Sequence, residues 1–289
     1  MKYSNDFDVK HKIELLKKLS TRNALPDEFA PLLQDLFFDQ IEIKGFALGD
    51  QFIYRARRNE PGRLFANIDE LKYPKSSSAK GRMNDAGESF FYGALCELGT
   101  IYEMVPPIGS LFTISKINKR KGFPIFLIAG LLDDPRSPTP RNSTEKEIYD
   151  YLHGELTKVA TTAEGYNSTI AISRLLLNKD LLAPEDYYLC GLAYPSVQVA
   201  RGVANVRTFN IGMKGETFDG NFCIKDSSVY CLTDEVEGYQ LNEVNHGVIA
   251  EDGRLNWMYS FGEMQQRMQS GLTSDESFVE KLKSYADFL

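Results

Sequence analysis

Strand-like and helix-like segments follow one another along this 289-residue chain without a repeating strand–helix–strand unit. That irregular order constrains the fold more than any other feature. A doubly wound parallel sheet needs a crossover helix between successive strands, and no such rhythm is present. The order argues instead for an α+β fold.

The segments themselves are legible from periodicity. Residues 1–45 read as helical, with Phe29, Leu32, Leu33, Leu36 and Phe37 on one face and Pro26-Asp27 as a start signal. This region is expected to be a helical extension that caps the core, with residues 46–289 forming one globular unit. Residues 59–79 hold Pro61, Pro74 and three consecutive serines, and read as a long loop. Residues 110–114, 123–128, 187–197 and 206–211 read as strands, and 223–225 with 229–232 as a hairpin. The prolines at 135, 138 and 140 demand a loop. A helix is expected from Thr144, with Glu147 completing a capping box and Ile148, Leu152 and Leu156 lining one face. A second is expected over 167–177, and a third over 275–289.

Several function classes are disfavoured. A net charge of −7 argues against general affinity for nucleic acid or anionic membrane. No apolar run approaches the length of a membrane span, and the N-terminus lacks a signal-peptide core, so a cytoplasmic location is expected. Cys96, Cys190, Cys223 and Cys231 lie in apolar or strand-like runs without a CxxC pair, and read as reduced thiols. His11, His153 and His246 have no partner at metal spacing, so no metal is expected. Neither a P-loop nor a G-x-G-x-x-G loop is present. A homo-oligomer stays open.

The candidate chemistry lies in Gly81-Arg82-Met83-Asn84-Asp85-Ala86-Gly87, followed by the run carrying Tyr92 and then by Glu103. Glycine permits tight turns and close approach. Arginine presents a planar fork suited to phosphate or carboxylate. Upstream, Phe52 to Arg57 is an apolar run ending in basic residues, with Arg55 and Arg57 on the same side of a strand. Downstream come Tyr194-Pro195-Ser196-Val197 and Asn205. Together these residues suit an anionic ligand that carries a sugar. Each also has a plain structural alternative: Glu103 as a surface carboxylate, Arg55 as a salt-bridge partner with Arg57 and Arg58 as competitors, Arg82 as a loop clamp on carbonyls, Tyr92 and Ser196 as satisfied buried hydroxyls, Tyr194 as a core aromatic.

Taken in order, Arg55, Gly-Arg-x-Asn-x-x-Gly, Tyr92, Glu103 and Tyr-Pro-Ser-Val resemble the RES domain family, over roughly residues 46 to 215. Tyr92 falls five residues after Gly87 and Glu103 eleven after Tyr92, as in the family pattern. The segment from Gly165 to Ala171, with Tyr166, is similar to the family's helix start ahead of the serine strand. The resemblance implies an ADP-ribosyltransferase-like core of two mainly antiparallel sheets with a cleft between them. It implies NAD as substrate rather than cofactor, cleaved at the nicotinamide–ribose bond by a glycohydrolase or phosphorylase. It further implies a toxin held by a cognate Xre-type antitoxin. Glu103, Arg55 and Ser196 are then the catalytic set, with Arg82, Tyr92, Arg57, Asn84 and Tyr194 binding the ligand. A protein ADP-ribosyltransferase and a non-catalytic nucleotide-binding protein are the alternatives. The long N-terminal helical region and extended C-terminus depart from compact family members. If the residues make one site, the serine strand should run beside the strand bearing Arg55 or Tyr92.

Overall fold

The computed structural model describes residues 6–37, 45–77, 79–104, 107–120, 122, 124–130, 136–178, 189–196, 209–235 and 238–270. Ten strands form one sheet: β1 (Gly45–Ala47), β2 (Ile53–Arg58), β3 (Phe90–Ala94), β4 (Leu111–Lys119), β5 (Ile125–Ile128), β6 (Leu189–Pro195), β7 (Phe209–Lys214), β8 (Phe222–Glu235), β9 (Gly238–Ile249) and β10 (Leu255–Trp257). Their order across the sheet is β1-β5-β6-β7-β3-β2-β4-β8-β9-β10. Every neighbouring pair is antiparallel except β5 and β6. Seven α-helices accompany it among the described residues: α1 (Asp6–Thr21), α2 (Pro26–Phe37), α3 (Glu97–Tyr102), α4 (Ser143–Thr157), α5 (Asn167–Leu176), α6 (Gly215–Asn221) and α7 (Phe261–Gln269). The chain is α+β, as its irregular segment order requires.

The expected pair of sheets is instead a single sheet with a narrow waist. β2 pairs with β4 over its whole length, from Ile53 opposite Ile117 to Arg58 opposite Phe112. It touches β3 through one register pair, Tyr54 with Ala94. That one pair is sufficient to join the two halves. Gly93 makes the junction possible, because a Cβ there would sit 2.7 Å from the Tyr54 carbonyl oxygen. Beyond it β2 and β3 diverge, and a cleft opens.

The residues expected to form a hairpin lie in one strand, β8, which pairs with β4 on one side and β9 on the other. Asp226-Ser227-Ser228 reads as a turn in sequence. In the sheet Ser227 and Ser115 share a hydrogen bond at 2.9 Å and Ser228 meets His246 Nδ1 at 2.8 Å. Cross-strand partners satisfy these polar groups, so the strand runs through. His246 lies in β9.

The cap of helix α4 lies two residues before the expected Thr144. Asn142 is the N-cap, accepting from the Glu145 amide at 2.8 Å, and Glu145 reaches back to the Arg141 amide at 2.5 Å. Ile148, Leu152 and Leu156 are fully buried, as their spacing demands. They share a core with Val9, Leu16, Phe29, Leu33 and Leu36 of α1 and α2, with Ile172 of α5 and with Leu192 of β6. A second apolar cluster joins Phe91, Phe126, Phe209, Phe218 and Phe222. The expected C-terminal helix over 275–289 lies outside the described residues. No helix among the described residues is long and apolar enough to cross a membrane.

Candidate active site

The cleft at the waist has a volume of about 550 Å³, within the usual range for a small-molecule site. Arg55, Arg57, Arg82, Tyr92, Glu103 and Tyr194 all line it. Ser196 and Asn84 lie behind its wall, each bonded to a residue that lines it.

Glu103 is placed by a short helix. Cys96 caps α3, its Sγ accepting from the Gly99 amide at 3.3 Å, and buried Ile101 anchors the turn to Phe112 and Ile114. Glu103 follows as the C-cap. A helix C-terminus is the electrostatically poorer end for a carboxylate. Two donors offset that. Ser196 Oγ, one residue past β6 and fully buried, donates to Glu103 Oε1 at 2.5 Å. Asn210 Nδ2, on β7, donates to the same oxygen at 2.9 Å. Glu103 is thereby fixed in orientation at the cleft.

Another part of the lining is cationic. Arg55 and Arg57 alternate onto one face of β2. Arg55 Nη1 donates to the Tyr92 carbonyl across the gap where β2 and β3 part, and its guanidinium lies 5.2 Å from the Phe91 ring centroid. Burial first, and then the neighbouring Arg57 charge, push the Arg55 guanidinium down to about 9. Burial also lowers Arg57, against the opposing charge of Glu70. The Nε atoms of both are buried without a hydrogen-bond partner among the described residues. Two crowded cations with unspent donors favour an anion.

The Gly-Arg-x-Asn segment is a self-bonded turn. The Gly81 amide donates to the Asn84 carbonyl at 2.9 Å. Tyr92 Oη donates to Asn84 Oδ1 at 2.8 Å and accepts from the Met83 amide at 2.8 Å. Gly81 is needed for close approach, since a Cβ would sit 2.3 Å from Asn84 Oδ1. Arg82 Nη1 donates to the Leu156 and Lys158 carbonyls at 2.6 and 3.1 Å, closing the end of α4, while its guanidinium lies 5.6 Å from the Tyr166 ring centroid. Thus Tyr92 and Asn84 spend their polar groups on shaping the wall, and Arg82 ties that wall to α4. Burial pushes the Tyr92 and Tyr194 phenols well above their ordinary value, which keeps both neutral.

The serine strand does not adjoin the Arg55 or Tyr92 strand: β7 lies between β6 and β3. That intervening strand supplies Asn210, which sequence reasoning missed. Its signal was a lone amide in the apolar run Phe209-Asn210-Ile211, where a buried polar group demands a partner. Thr100, Met104 and Tyr166 also line the cleft. Val197 and Asn205 lie outside the described residues. No family model, no curated protein and no solved structure matches this chain.

Proposed function

We propose that this protein binds NAD in the cleft and cleaves its nicotinamide–ribose bond, passing ADP-ribose to water or phosphate, in the manner its RES-like motifs imply. The observation that carries this reading is the Glu103 carboxylate, held by Ser196 and Asn210 and lining the same cleft as Arg55 and Arg57, whose Nε atoms have no partner among the described residues. Nicotinamide leaves neutral from a positively charged ring, so its departure needs no general acid. The ribose left behind acquires oxocarbenium character. A fixed carboxylate beside it stabilises that charge without reorganising. The two arginines suit the pyrophosphate, and the neutral tyrosines suit the ring and sugar faces.

On this reading the biological role is NAD depletion, restrained by an Xre-type helix-turn-helix antitoxin that covers the cleft. One feature favours a protein acceptor as the second reading: Met104, beside Glu103, is 40% exposed at the cleft rim. Incubating purified protein with NAD tests both. Stoichiometric nicotinamide with ADP-ribose or its phosphate supports the first, and ADP-ribosylated protein the second. Absence of nicotinamide release overturns both.

A further inference from the structure

Three buried polar atoms on residues that line this cleft have no hydrogen-bond partner among the described residues: Arg55 Nε, Arg57 Nε and Asn210 Oδ1. The first two are donors. The third is an acceptor, on a side chain only 2% exposed. Its orientation follows from chemistry. A carboxylate only accepts, so the amide must turn Nδ2 toward Glu103 and Oδ1 away. Leaving such an oxygen unpaired is costly unless a partner arrives.

We propose that Asn210 reads a ligand hydroxyl: Nδ2 holds Glu103, and Oδ1 accepts from the 2′-hydroxyl of a ribose lying beside that carboxylate. This rests on the sugar-nucleotide reading of the cleft. Both amide atoms sit on one carbon, so the donor must lie within a few ångströms of Glu103. In a ribose whose C1′ faces the carboxylate, the 2′-hydroxyl is the donor nearest that carbon. Arg55 and Arg57 supply the complementary half of the match, donors for an anion on the same ligand. A sugar lacking the 2′-hydroxyl would leave Oδ1 orphaned, and the site should discriminate against it.

The test is a cycle between protein and ligand. kcat/KM is measured for NAD and its 2′-deoxyribosyl analogue, with wild type and with Asn210→Leu. The analogue's intrinsic reactivity and the lost Glu103 contact each divide out of the cycle. The NAD-to-analogue ratio should be about tenfold or more larger in wild type than in the variant. Equal ratios overturn the proposal while leaving NAD cleavage standing. If wild type does not cleave NAD, the proposed function fails and the cycle is read by titration calorimetry with ribose 5-phosphate and 2-deoxyribose 5-phosphate. A hydroxyl-dependent gain in affinity confined to wild type then supports the role of Asn210. Equal affinities, or no binding, overturn it. Asn210→Ser serves in the same cycle if the leucine variant does not fold.

Discussion

Ser196 and Glu103, 93 positions apart in sequence, meet in a 2.5 Å hydrogen bond. Three parts of the fold make this contact. The end of β6 presents the serine, α3 presents the carboxylate, and Asn210 on β7 adds a second donor from the strand next to β6. The serine therefore acts on the carboxylate, whatever else it touches when ligand is bound.

Replacing the carboxylate isolates its charge. Glu103→Gln keeps the volume and lets the amide oxygen face Ser196 and Asn210. Nicotinamide release should fall by about 100-fold or more, with the melting temperature little changed. Near wild-type release by a folded variant would remove Glu103 from the reaction.

Arg57 should trade stability for binding. Arg57→Met removes the charge that adds to burial in holding Arg55 down, and removes the cost of burying the Arg57 cation itself. The ligand-free variant should melt slightly higher, by an amount on the order of 1 kcal/mol or less, since the side chain is half-buried. Its affinity for ADP-ribose should fall about tenfold or more. Calorimetric titration and thermal melts read the two effects separately, and unchanged affinity would free Arg57 from any part in ligand binding.

The turn at Gly81 should tolerate no Cβ. Gly81→Ala would press on Asn84 Oδ1 and Tyr92 Oη, at 2.3 and 2.9 Å. Breaking that bond should cost about 1–3 kcal/mol and weaken activity through the displaced wall. A variant with wild-type melting temperature and turnover would show that the turn is soft.

A separate cluster gives a pH dependence. Burial first, and then the Glu243 charge, raise Glu97 above its ordinary value. The folded state thus holds a proton that the unfolded state releases, so stability falls as pH rises from the ordinary glutamate range through the raised folded value. Glu97→Gln should melt higher than wild type at pH 8, with the gap closing on acidification toward pH 4. A gap independent of pH would mean that Glu97 pays no electrostatic penalty in the fold.

Local chemistry made much of this protein legible in its sequence. The apolar faces of α2 and α4, the start at Pro26, the α5 segment and the strands read at 110–114, 123–128 and 187–197 follow from spacing and turn residues, which act over a few positions. Arginine, glutamate and serine in a set order stood out as candidates through their resemblance to RES-type motifs. What the sequence could not decide was pairing. β8 passes through Asp226-Ser227-Ser228 because β4 and β9 satisfy the serines, and those partners are distant in the chain. The two halves form one sheet because a single register pair and the bare Cα of Gly93 let β2 meet β3. Asn210 becomes part of the site only because β7 lies between β6 and β3, with its amide reaching Glu103. Sequence periodicity reports which face of an element is apolar. Which faces meet depends on burial summed over the whole chain, and that is decided only when the tertiary structure forms.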